Sequence, residues 1–173
     1  MSVMNGFRYE LENRIIGFNG HIYIQKIEEY FRYDFQDLEE LDEIKFIDPN
    51  ITIQSLITTD YSTKGILVKS IIPENIEHYS FIDEAFIADN EFDDSGIILG
   101  GSLAESIGAE IGSSIKLFSS NTISSPFGQL PKSISLKVKG IFNSGMSEYD
   151  SSFAFISLNN AQKIVGLDDK ISI

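Results

Sequence analysis

No cysteine occurs in this chain, and that absence removes disulfides, thiolate metal sites and cysteine nucleophiles together. It suits an oxidising compartment where stray thiols are avoided, and it suits many cytosolic domains as well. Tryptophan is missing too, so the aromatic content rests on 13 Phe and 7 Tyr. Basic residues are scarce: 13 Lys and Arg stand against 26 Asp and Glu, a formal net charge of −13. That balance argues against a nucleic-acid partner, since neutralising phosphates needs clustered cations. It argues equally against a face that lies flat on anionic lipid. No apolar run approaches the ~20 residues that span a bilayer. The opening Met1–Arg8 lacks the basic region and apolar stretch of a signal peptide.

What is present is globular. Hydrophobic residues make up 42% and charged residues 23% of 173 positions, enough for one domain or two small lobes sharing a core. Val3, Met4, Phe7, Leu11, Ile15 and Phe18 recur at helical spacing, and Gly17 offers a stop. A strand is expected at His21–Lys26, then an acidic helix around Phe35–Phe46, broken by Asp48-Pro49-Asn50. Ile51–Thr59 and Gly65–Ile72 read as an antiparallel hairpin, followed by a short helix or turn opening at Pro73. From about Ala88 the chain turns Gly- and Ser-rich. There Gly96–Leu99 reads as a strand entering a small helix, Ser102–Ile107. Ser114–Ser119 and Ser133–Phe142 read as paired strands joined by a thirteen-residue loop, Ser120–Lys132. Phe153–Leu158 reads as a strand and Asn159–Gly166 as a helix buried through Ala161, Ile164 and Val165. The class expected from these alternations is α+β. Ile171-Ser172-Ile173 is a β-like tail without a partner in the sequence, as expected of a segment cut from a longer chain.

Residues that could do chemistry are few. His21 and His78 are the only histidines, and neither has a nucleophile nearby in sequence. Gly100-Gly101-Ser102 superficially resembles a nucleophile elbow but lacks the second Gly after the Ser, so Ser102 reads as a helix cap. Asp89–Gly96 offers half of a calcium loop through Glu91, Asp93 and Ser95, yet its twelfth position falls on Ser102, which cannot supply a bidentate carboxylate. A solvated acidic loop is the simpler reading. Glu148 and Asp150 flank Tyr149, and a turn-stabilising role outweighs acid–base work. The expectation is a non-catalytic module with no metal and no cofactor, acting through protein contacts.

Three stretches resemble a known family. Asn5-Gly6-Phe7 within Ser2–Leu11, with Asn13–Gly17 and Gly20–Ile22, is similar to the segment following the first transmembrane helix of LolC/LolE-type proteins. Gly100–Ser119, with Leu103-Ala104, Ile107-Gly108 and Ile111-Gly112, is similar to a second block, with Ser113 where Asp is usual. The most specific block runs from Val138-Lys139-Gly140-Ile141-Phe142 through Ser144-Gly145-Met146, Glu148-Tyr149-Asp150-Ser151 and Phe153–Ile156 to Ala161-Gln162 and Gly166-Leu167.

The resemblance implies the periplasmic domain of an inner-membrane permease subunit of a lipoprotein-releasing ABC transporter. Its fold would be MacB-like, a porter lobe carrying an inserted β-rich sabre lobe with a protruding hairpin, the hook. Transmembrane helices would precede Met1 and follow Ile173. The expected division is 1–88 porter-like, 89–158 sabre-like with the hook at 120–132, and 159–173 returning to the porter lobe. Ser125, Pro126, Phe127, Gly128, Gln129, Leu130 and Pro131 resemble the hook that captures the soluble carrier LolA, which leans toward a LolC-type or single combined subunit. Asn5, Gly6, Phe7, Gly140, Gly145, Tyr149 and Asp150 would be structural signature residues. The partners implied are a LolA-type carrier, a LolD-type ATPase subunit, a second LolC/LolE-type subunit and lipoproteins. A MacB- or FtsX-like domain with another periplasmic partner is the alternative, and a secreted glycan-binding domain a remote one.

Overall fold

The computed structural model describes residues 46–79, 92–125 and 128–166, with Tyr9, Ile22, Ile24, Leu41, Glu43 and Ile44 besides. The readings at Val3–Phe18 save Tyr9, which is helical, at His21–Lys26 save Ile22 and Ile24, which are not in a strand, and at 167–173 lie outside the described residues, as do Asn5, Gly6 and Phe7. Most of the expected helix at Phe35–Phe46 does too. Its described end is a turn, with the Ile44 amide donating to the Leu41 carbonyl at 3.0 Å, and is not helical.

Strand β1 (Thr52–Thr58) alternates strictly, with Ile53, Ser55 and Ile57 buried and Thr52, Gln54 and Leu56 exposed. This is the period-two pattern of a half-buried strand. It pairs antiparallel with β2 (Thr63–Ile71), as the hairpin reading expects. Beyond β2 comes a 3₁₀ turn, Pro73–His78. Strand β3 (Gly96–Gly100) is buried throughout and leads directly into helix α1 (Gly101–Ile107). Strands β4 (Ser114–Ser125) and β5 (Gly128–Phe142) follow, then helix α2 (Ser147–Ser152), β6 (Phe153–Ser157) and helix α3 (Leu158–Val165).

The six strands close a barrel in the order β1-β2-β6-β3-β5-β4. β2 pairs parallel with β6, and β3 parallel with β5, while the remaining neighbours are antiparallel. The interior is aliphatic: Ile53, Ile57, Val68, Ile97, Leu99, Leu117, Val138 and Ile156 fill it. Helix α1 joins this core through Leu103, Ala104 and Ile107, and α3 joins it through Leu158, Ala161 and Ile164. Strand directions place α1 beyond the outgoing end of β3 and α3 beyond the opposite end, at β6. A helix therefore covers each mouth. Outside the barrel, Ile71, Ile98, Phe142 and Phe155 form a second cluster with Tyr79 and Phe92.

Four expectations change. Ser120–Lys132 is not a long loop: both strands run on through it, and only Pro126 and Phe127 separate paired Ser125 and Gly128. Thr122 and Ile123 there suit an extended ladder, which the Ser- and Pro-rich composition disguised. The division at 88/89 passes through one sheet system, since β1 pairs with β4 and β2 with β6 across it. Ser102 does not cap α1: the helix starts at Gly101, its N-cap is Gly100, and no side chain caps it. A Cβ on Gly100 would lie 2.3 Å from the Asp150 carbonyl oxygen, so this strand-to-helix corner demands glycine for close approach. Finally, Ser147–Ser152 is a helix. Six residues without an apolar stripe carry no periodic signal to reveal it.

Candidate functional site: the β4–β5 arm

The barrel releases β4 and β5 at one end. β1 accompanies β4 only over Lys116–Ser119, and β3 accompanies β5 only over Lys137–Phe142. Further out, β4 and β5 pair with each other from Thr122↔Pro131 to Ser125↔Gly128. At about 3.3 Å per residue, the four steps from Lys132 to Gly128 on β5 carry this ribbon roughly 13 Å past the barrel. Between Phe118↔Ser133 and Thr122↔Pro131 the register advances four residues on β4 but two on β5. Such a bulge bends the strand and increases its twist, which aims the arm.

The arm is braced at its root. The Lys132 ammonium donates to the Lys163 carbonyl at 3.3 Å, in the last turn of α3, where unsatisfied carbonyls favour a cation. Gly166 closes that helix in the left-handed conformation at φ 82°, and a Cβ there would meet the Lys132 ammonium at 2.6 Å. On the outer barrel face below the arm, Lys116 lies over the Phe118 ring at 5.8 Å, and Leu56, opposite Phe118 in register, is exposed.

Of the seven hook residues, Ser125, Gly128, Gln129, Leu130 and Pro131 lie in the paired strands of the arm, and Pro126 and Phe127 lie outside the described residues. Pro131 is exposed. The four described signature residues, Gly140, Gly145, Tyr149 and Asp150, gather at the opposite end of the barrel. Gly140 is buried in β5, and Gly145 holds φ 73° in the turn that leaves it. Tyr149 stacks on Phe153 at 5.1 Å. Asp150, 7% exposed, accepts the Ser144 amide at 2.8 Å and the Ser144 hydroxyl at 2.7 Å through one oxygen. It stabilises a turn, while Glu148 is exposed.

Sequence reasoning missed two polar clusters. Asp94 ties the entry of β3 to the start of α3, accepting from Ser157 Oγ and Asn159 Nδ2 at 2.5 Å each, while Asn160 Nδ2 donates to its backbone carbonyl. The neighbouring Asp93 accepts the Ser95 amide and hydroxyl, which hold its carboxyl below the ordinary range. Among the described residues no three potential metal ligands cluster, and Glu91 lies outside them. The second cluster joins the segment before β1 to the 3₁₀ turn. Phe46 stacks on His78 at 4.4 Å, Asn75 Nδ2 donates to the Ile47 carbonyl at 3.3 Å, and the Tyr79 hydroxyl donates to Asp48. Burial pushes the Asp48 carboxyl above its ordinary range, against the pull of the Tyr79 hydroxyl and of Lys69. Burial likewise draws Lys69 downward, against Asp48. A partner 21 residues away in sequence, on the outer face of β2, leaves no local signal.

No family model matches the chain. A lipoprotein-releasing system transmembrane protein LolC from Neisseria meningitidis serogroup B is 26% identical over 182 residues, covering 99% of this chain and 43% of its own. The protein of the same description from Xylella fastidiosa strain Temecula1 is 23% identical over 176 residues, covering 97% and 42%. The chain thus spans less than half the length of these curated relatives. Among solved structures, the extracellular domain of the noncanonic ABC-type transporter YknZ from Gram-positive bacteria shares the fold. Its TM-score is 0.53 at 15% identity, over 87% of this chain and 79% of that one. The resemblance to LolC/LolE-type proteins therefore holds along nearly the whole chain. The mixed α/β architecture agrees with an ABC transporter extracellular domain.

Proposed function

We propose, from this kinship to LolC-type proteins, that the chain is the periplasmic domain of an inner-membrane permease subunit of a lipoprotein-releasing ABC transporter. In this reading the arm is the hook: it captures a LolA-type carrier, and the domain relays motion driven by a separate LolD-type ATPase subunit. Lipoproteins then pass from the inner membrane to the carrier, with a second LolC/LolE-type subunit completing the assembly. The domain itself is non-catalytic. The observation that supports this most directly is the two-stranded arm, which leaves the barrel and is paired out to Ser125↔Gly128, the two residues that Pro126-Phe127 join in sequence. An apolar anchor at a proline-stiffened tip loses little entropy on binding.

Replacing Phe127 or Pro126 with Asp tests it. Calorimetric titration with a purified LolA-type carrier is expected to show affinity falling at least tenfold, with the circular dichroism spectrum and melting temperature unchanged. Unchanged affinity sinks the hook reading. The solved neighbour belongs to a transporter of another name, which favours a second reading: a MacB- or FtsX-like domain with a different periplasmic partner. Co-purification of an adaptor or hydrolase activator in place of a carrier, from cells expressing the full-length subunit, selects that reading.

A further inference from the structure

The register of the arm fixes which backbone groups point outward. Ser125 and Gly128 are register partners with only two residues between them in sequence, the spacing at which the closing residues of a hairpin face each other as a hydrogen-bonded pair. Alternation then makes Ile123↔Leu130 the next bonded pair. It turns the amides and carbonyls of Thr122 and Ser124, and of Gln129 and Pro131, away from the ribbon. Pro131 has no N–H to give, and an outward position is where that absence costs the ladder nothing.

The two edges are therefore unequal. Along β5 the outward row is interrupted by Pro131, and Lys132 beside it is held by the Lys163 carbonyl. Along β4 the outward row at Thr122 and Ser124 is complete, and Asn121–Ser125 carries neither charge nor proline. Ser119–Pro131 has no charged residue at all, in a chain that is 23% charged. Among the described residues no strand pairs with this edge, because β1 leaves β4 at Ser55↔Ser119. Lysine, proline and bulges are the usual guards of an exposed edge; the β4 edge has them only at its root.

We propose that the β4 edge at Thr122–Ser125 is a strand-accepting surface that takes an extended, uncharged edge strand of the partner protein in antiparallel main-chain pairing. It rests on the reading of the arm as the partner contact and adds how the contact is made. A second copy of this chain is disfavoured as occupant, because each copy brings a formal charge of −13. Recognition through backbone groups also explains a neutral arm on an acidic protein.

The test compares two proline substitutions, Ser124→Pro on the β4 edge and Gln129→Pro on the β5 edge, titrated with the carrier named above. Each removes one outward N–H, and neither removes a bond of the ribbon. Ser124→Pro is expected to weaken binding at least tenfold and Gln129→Pro less than threefold. In the parent protein, amide exchange at Thr122 and Ser124 is expected to slow at least tenfold on adding carrier. Equal effects of the two prolines, or unslowed exchange, overturn strand addition. The hook then survives if Phe127→Asp still abolishes binding, and falls with it if that variant binds normally. Amides of Thr122 and Ser124 already protected in the free monomer mean the chain covers its own edge, and refute the proposal. So does a concentration-dependent dimer in sedimentation that Ser124→Pro abolishes.

Discussion

Replacing Asp150 with Ala probes the turn that joins β5 to α2. Its carboxylate is 7% exposed and receives two hydrogen bonds from Ser144, at 2.8 Å from the amide and 2.7 Å from the hydroxyl. Hydrogen bonds to a charged acceptor contribute about 1.5–3 kcal/mol each, and donors left buried without a partner cost more than the bond itself gained. The hydroxyl retains a long contact of 3.4 Å to the Met146 carbonyl, which offsets part of the loss. The expected cost is about 3–5 kcal/mol, a large fraction of the roughly 5–15 kcal/mol that holds a domain together. For a chain of this size the melting temperature falls by roughly 8–15 °C. Asp150→Asn keeps an acceptor and loses the charge, so about 1–2 kcal/mol is expected. Ser144→Ala in the Asp150→Ala background costs less than in the parent, by a coupling of about 1–2 kcal/mol. Urea denaturation followed by circular dichroism measures the parent and all four variants. A loss below about 1 kcal/mol for Asp150→Ala, or additive single costs, refutes the clamp.

The Asp48–Lys69 pair gives a pH signature. Because burial raises Asp48 in the folded state, its contribution is fully present below its unfolded value and is lost as pH rises through the raised one. Lys69 is lowered, so its contribution is lost as pH falls from its unfolded value through the lowered one. The variant carrying both Asp48→Asn and Lys69→Met is therefore expected to gain on the parent in urea midpoint between pH 3.5 and neutrality, while Lys69→Met alone costs about 2–3 kcal/mol at pH 7. Gly100→Ala is expected to destabilise by about 3 kcal/mol or more, since its Cβ meets the Asp150 carbonyl at 2.3 Å. Gly65→Ala, whose Cβ meets nothing within 4 Å among the described residues, is expected to stabilise by about 0.5 kcal/mol, and thermal melts separate the two. Ser55→Ala is expected to raise stability by about 1 kcal/mol in the same assay, because its buried hydroxyl has no hydrogen-bond partner among the described residues.

Local patterning made much of the barrel legible. Ile51–Thr59 alternates at period two, and a short link folds it onto Gly65–Ile72, so the hairpin could be read without any tertiary knowledge. The same holds for the Gly96–Leu99 strand entering a helix, and for Asn159–Gly166, whose apolar residues recur at helical spacing and which the structure starts one residue earlier, at Leu158. Asp150 was readable as a turn residue because its neighbours are Gly and Ser. The α+β class and the expectation of a protein-contact module followed from such segments and from what the composition withholds.

Only tertiary structure decided how those strands are shared. Parallel pairing of β2 with β6, and of β3 with β5, joins residues more than 40 positions apart, and no local pattern encodes which distant edge a strand will meet. The same cause placed a domain division inside one barrel, hid Lys69 beside Asp48, and hid Asp94 beside Ser157. The arm shows both sides. Its position between two matching strands was written in the sequence, but its form was not. Ser-, Thr- and Pro-rich residues read as loop when taken alone, and they become strand once a partner ladder supplies the hydrogen bonds that their own spacing cannot.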